Sequence, residues 1–132
     1  MATLTQTQVD FLREPNYAVV ATIRPDGTPH QTVIWVDTDG ERLVFNTNTA
    51  RAKSQYMEED PHVSVLVLDR ESPYRWLSVA GPVAITEEGG HEHIEGLAEK
   101  YRGTREYRLQ PGEVRVICTV RPQRVTAYGL DG

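Results

Sequence analysis

The chain has 132 residues and a net charge of −5, with 39% hydrophobic and 25% charged residues, the proportions of one globular domain, residues 1–132, with a real core. The pI is about 5.3 and no long basic face is visible, which excludes a nucleic-acid-binding reading. No apolar run approaches the length of a membrane span, and Met1-Ala2-Thr3-Leu4 lacks the charged start and apolar core of an export signal.

Leu4-Thr5-Gln6-Thr7-Gln8-Val9 predicts a helix start. Thr5 and Gln8 have capping-box spacing, and Leu4 and Val9 can form a hydrophobic staple. The helix must stop before Pro15, with Val9, Phe11 and Leu12 holding it to a larger body. Tyr17 to Ile23 reads as a strand, Pro25-Asp26-Gly27 as a turn, and His30 to Val36 as an antiparallel return. After the turn Asp37-Thr38-Asp39-Gly40, Arg42 to Asn46 is expected to be the third strand of a meander.

Thr47-Asn48-Thr49-Ala50-Arg51-Ala52-Lys53 then opens a short helix, Ala52 to Glu59, closed by Pro61. A strand running through hydroxyls and cations into a helix start is an anion site in waiting, because free N–H groups and the positive helix end point the same way. Arg51 can grip a phosphate bidentately and Lys53 can act as a point charge. The alternative is a capped helix with a solvated basic first turn.

His62 to Leu68 is almost continuously apolar and is expected to be buried on both faces. A loop over Asp69 to Pro73 leads into a strand from Tyr74 to Ala80, which Gly81-Pro82 should interrupt as a bulge or edge before Val83. Ile94, Leu97 and Ala98 give Glu87 to Lys100 helical spacing, with Gly103 as its stop and an acidic outer face. The segment from Gly103 to Pro111 carries no element signal. Val114 to Val120 is a sixth strand, and Val125 to Tyr128 a short seventh. Six or seven antiparallel strands with three short helices point to a mainly β fold, a closed barrel with helices at its gaps.

Few side chains suggest acid–base chemistry. His91 and His93 lie two apart, about 200° around a helix, so they diverge where a metal pair needs i and i+4. Cys118 sits mid-strand in Val116-Ile117-Cys118; it reads as a buried hydrophobe, its solitude excludes an intrachain disulfide, and it fits a reducing, cytoplasmic setting. No nucleophile elbow, P-loop or dinucleotide-binding glycine pattern is present. Trp35 and Trp76 are either core residues or walls for a planar ring.

Read in order, these segments resemble the split-barrel flavin and deazaflavin family, the pyridoxamine-phosphate-oxidase-like proteins. Ala21 to His30 resembles the first hairpin, Val33-Ile34-Trp35-Val36 the strand beside the cofactor, and Phe45-Asn46-Thr47 through Arg51-Ala52-Lys53 the phosphate-binding turn. Asp60 to Val65 and Trp76 to Gly81 resemble the next two strands, so the likeness runs over roughly residues 10–130. The short chain is most similar to the group that uses the deazaflavin F420.

The resemblance implies an antiparallel split β-barrel and a homodimer with the cofactor between subunits. Asn46, Thr47, Thr49, Arg51 and Lys53 would form the phosphate turn. Thr32, Val33, Ile34 and Trp35 would run along the ring, and Trp76 and Ser78 would approach the same site. Hydride transfer from reduced F420 to an unsaturated or quinone-like small molecule is the expected activity. An FMN-dependent oxidoreductase and a non-catalytic binder of a cofactor or haem are the alternatives. Arg24 and Arg75 are further candidate counter-charges, or ordinary surface residues. Two departures stand out. Tyr56 occupies a position where the family often has Asn, and the tail Arg121 to Gly129 lacks the Arg-x-His substrate signature, so vitamin B6 oxidation is not expected.

Overall fold

The computed structural model describes residues 2–130; Met1 and the last two positions of the expected 1–132 domain lie outside them. Helix α1 (Gln6–Arg13) starts on the predicted capping box, with Thr5 accepting from the Gln8 N–H and the Gln8 side chain accepting from the Thr5 N–H. Phe11 and Leu12 are fully buried, and Leu4 and Val9 nearly so, so the helix is held by its apolar side.

The strands are β1 (Tyr17–Ile23), β2 (Pro29–Ile34), β3 (Val36–Thr38), β4 (Leu43–Asn48), β5 (His62–Leu68), β6 (Trp76–Thr86), β7 (Arg115–Val120) and β8 (Arg124–Tyr128). Helix α2 (Ala52–Glu59) follows β4, and α3 (Gly90–Arg102) follows β6 and stops at Gly103 in the left-handed region. All these pairings are antiparallel, in the order β2-β1-β5-β6-β7-β4-β3 with β8 added on β6. The two ends of that path, β2 and β3, are joined by Trp35 alone. One residue can span only a few ångström, so the sheet must curl until its ends nearly meet. The result is a barrel split at Trp35, with Val20, Phe45, Val65, Leu77, Val79 and Cys118 filling it.

Four expectations are corrected. The run His30 to Val36 is not one strand of a meander: it breaks at Trp35, its first part pairing with β1 and its last residue with β4. Periodicity could not show this, because a strand that passes from one sheet to another keeps its alternation. Second, β5 is not buried on both faces. Val63, Val65 and Val67 point in, while His62, Ser64 and Leu66 are exposed. Leu66 is 43% exposed because none of the described elements lies over that face.

Third, β6 begins at Trp76, two residues late. The Asp69 carboxylate accepts from the Glu71 and Ser72 N–H groups and from Arg75, which draws Arg75 into the turn. Fourth, Gly81-Pro82 does not interrupt β6; the strand changes partner there, from β5 to β7. A Cβ on Gly81 would stand 1.9 Å from the Arg121 carbonyl oxygen, so only glycine fits this crossing.

Candidate functional site

The end of β2, the unpaired Trp35 and the start of α2 enclose an open cleft of about 210 Å³. Its wall includes Val33, Ile34, Trp35, Asn46, Thr47, Arg51 and Lys53, all expected from sequence. Thr32 adjoins it, accepting a 2.7 Å hydrogen bond from Lys53 Nζ. Thr49 stands apart on the exposed rim, its N–H donated to the Val114 carbonyl. Trp76 and Ser78 are not in the cleft of this chain. They lie on the outer face of β6, where Trp76 stacks on Tyr128 with ring centres 6.3 Å apart.

Lys53 bears on the two readings of the basic turn. It is buried at 6% exposure, not solvated, and the N-cap residue Arg51 makes no side-chain capping bond. Burial pushes the Lys53 pKa down, and the guanidiniums of Arg51 and Arg115 push it further. A Cys118 thiolate would oppose this, but burial raises that thiol to about 12, so it stays neutral. Among the described residues no carboxylate lies within 4.0 Å of Lys53 or Arg51. Arg51 is exposed, but Lys53 is buried, and burying a cation without a counter-ion costs free energy. An anion entering the cleft would relieve that cost.

Three cleft residues were missed from sequence: Ile94, Tyr107 and Arg115. Arg115 is 8% exposed, its Nε donates to Asn46 Oδ1 at 2.8 Å, and Glu113 pairs with it at 2.9 Å. Its signal was present, a lone charge at the head of the apolar run Val114 to Val120. Tyr107 had none, because the segment after α3 is held by aromatic and cationic contacts. Its ring lies 5.5 Å from the Arg102 guanidinium and 5.2 Å from that of Arg115.

Trp35 is a wall and a packing residue at once. It lines the cleft and stacks on Tyr101 at 5.4 Å, with the ring planes only 9° apart. Its own backbone belongs to neither ladder, since β2 pairing ends at Ile34 and β3 pairing starts at Val36. Of the other candidate cations, Arg24 closes the β1–β2 turn by donating to the Pro29 carbonyl, and Arg75 is paired with Asp69. Tyr56 packs its ring edge-on against His30 at 5.4 Å. Among the described residues no three His, Cys, Asp or Glu side chains converge on a metal position, and no helix is long and apolar enough to cross a membrane.

The family described as pyridoxamine 5'-phosphate oxidase matches residues 4–128. A pyridoxine/pyridoxamine 5'-phosphate oxidase of Aeromonas hydrophila is 38% identical over 125 residues, covering 90% of this chain and 52% of that protein. A solved structure described as an F420 reductase superposes with a TM-score of 0.80 at 33% identity, covering 93% of this chain and 98% of that one. A conserved hypothetical protein of Mycobacterium tuberculosis superposes with a TM-score of 0.76 at 27% identity, covering 95% of this chain and 84% of that one. The alignments span only 30% to 52% of the length of the curated relatives.

Proposed function

The chain belongs to the pyridoxamine 5'-phosphate oxidase family, and we propose that within it this protein is an F420-dependent oxidoreductase acting on an unsaturated or quinone-like small molecule. The observation that carries the reading is the buried Lys53 beside Arg51 and Arg115, cations without a full set of counter-charges at the edge of a cleft. The likeness to an F420 reductase, over 98% of that chain, favours the deazaflavin over a flavin.

The residues present fit such a group. Arg51, Lys53 and Arg115 would hold its phosphate, with Thr47 and Thr32 beside them. Ile34 and Trp35, the latter lying between the two ladders, would border the ring. When bound and reduced, the deazaflavin supplies the hydride. The chain would orient the reacting face; no side chain is assigned as acid or base, and solvent reaching the open cleft would deliver the proton.

The cleft of one chain is incomplete for this purpose. At about 210 Å³ it falls below the range of about 300–1,000 Å³ that ligand pockets occupy. A second copy would complete it. The outer face of the sheet carries Tyr17, Val33, Leu66 and Tyr128, all exposed, with Trp76 and Ser78 in the same rows. Val33 belongs both to that apolar face and to the cleft wall, so a partner seated on the face reaches the cleft. A homodimer of this kind would bring the partner's outer face, with its own Trp and Ser, to the cofactor.

The test is a fluorescence titration of the apoprotein with F420 and, separately, with FMN. Tighter F420 binding followed by oxidation of the reduced cofactor by a quinone supports the proposal. FMN preference supports the flavin oxidoreductase, which the family and its curated relatives favour as the second reading. Binding without turnover across an acceptor panel identifies a non-catalytic binder, and binding of neither cofactor refutes the enzyme readings.

A further inference from the structure

We propose that His93 is a positioning residue of the anion site: as the neutral ring protonated at Nε2, it locks the Asn46 amide and, through it, the Arg115 guanidinium. The inference rests on reading Arg51, Lys53 and Arg115 as the phosphate site.

Three contacts fix the orientation of Asn46. The Gly90 carbonyl can only accept, so the amide nitrogen faces it, donating at 2.9 Å. Arg115 Nε can only donate, so the amide oxygen faces it, accepting at 2.8 Å. The second hydrogen on Asn46 Nδ2 then points at His93 Nδ1, 3.0 Å away. That nitrogen must present a lone pair, and a neutral imidazole with a lone pair on Nδ1 carries its proton on Nε2. His93 Nε2 is buried without a hydrogen-bond partner among the described residues, so no outside acceptor selects this tautomer. The Asn46 contact alone does.

The arrangement has little room to relax. Asn46 is 7% exposed, and a Cβ on Gly90 would stand 2.0 Å from the Arg115 carbonyl oxygen, so the start of α3 is pressed against β7. Protonating His93 would put an N–H at Nδ1 opposite the Asn46 N–H. The amide could escape only by turning over, which sets its nitrogen against Arg115 Nε and its oxygen against the Gly90 carbonyl. Turned over, the amide no longer gives Arg115 its acceptor.

The charged groups facing the ring are Asp37 from β3, Arg115 from β7, Glu92 on α3 and Arg105 beyond it. Burial pushes the His93 pKa below its ordinary value of 6.5 and Arg115 adds to that, while Asp37 opposes both. The ring is therefore neutral at pH 7, and cofactor affinity should fall as pH drops through that lowered pKa.

The experiment compares wild type, H93N, H93L and R115A by F420 titration from pH 5 to pH 8, with thermal melts as a folding control. In H93N the introduced amide oxygen can accept from Asn46 in place of the imidazole Nδ1, and it cannot be protonated in this range. H93N should hold affinity at neutral pH and lack the acid limb, while titration of the ligand itself is common to all variants and cancels. H93L should bind about 10-fold more weakly, the order expected for a buried donor left unpaired. Wild-type affinity and an unchanged acid limb in H93L, with R115A weakened, overturn the positioning role and leave the phosphate site standing. Undiminished binding by R115A overturns both.

A second readout needs no variant. The imidazole nitrogen-15 shifts of His93 in the wild-type apoprotein should report an unprotonated Nδ1 and a protonated Nε2 at pH 7. The opposite tautomer, or an imidazolium, overturns the inference.

Discussion

Replacing Lys53 with methionine should move stability and binding in opposite directions. The side chain is 6% exposed, two guanidiniums repel it, and its one hydrogen bond among the described residues is to Thr32 Oγ1 at 2.7 Å. Methionine keeps the stem volume and removes a buried charge whose desolvation is not offset by a carboxylate. Thr32 is half-buried, so water can replace the lost contact. The apoprotein should melt at the wild-type temperature or above it. Binding should show the reverse, because a charge-assisted hydrogen bond contributes about 1.5–3 kcal/mol, or roughly 10- to 150-fold in Kd. Thermal melts of the apoprotein and fluorescence titration with F420 measure the two effects. A variant that melts lower and binds F420 as wild type does would refute the reasoning, because Lys53 would then be a structural residue.

The pH dependence has a worked sign. Burial lowers the Lys53 pKa in the folded chain below the ordinary 10.5. At neutral pH folded and unfolded chains both carry the proton, and the cost of burying the charge is present in full. As pH rises through the lowered pKa toward 10.5, the folded chain loses the proton first; stability gains from Lys53 while anion affinity falls, and K53R should keep its affinity over the same range in a pH-resolved titration. Leu66→Glu, on the exposed face of β5, should leave the fold intact by circular dichroism, yield monomers by sedimentation and weaken cofactor binding. Gly81→Ala should lower the urea midpoint sharply, because the new methyl would stand 1.9 Å from the Arg121 carbonyl oxygen; an unchanged midpoint would show that β6 can bend away.

Local physics made much of this protein legible before any coordinates. The α1 capping box, the positive-φ glycines Gly27 after β1 and Gly40 after β3, and the αL stop at Gly103 all depend on neighbours a few residues away. The basic turn was visible for the same reason: Thr47, Arg51 and Lys53 are close in sequence and share one strand-to-helix junction.

The tertiary structure decided what depends on distant residues. Strand alternation is the same whichever sheet a strand joins, so the break at Trp35 and the partner change at Gly81 could not be read from hydropathy. Arg115 enters the cleft because β7 pairs with β4, placing it 69 residues from Asn46 in sequence and 2.8 Å from it in space. Tyr107 sits over Trp35 through ring and cation contacts that leave no periodic trace. Even the sense of Lys53 needed the fold: its sequence says cation, and only the fold shows that the charge is buried, without a carboxylate in reach among the described residues.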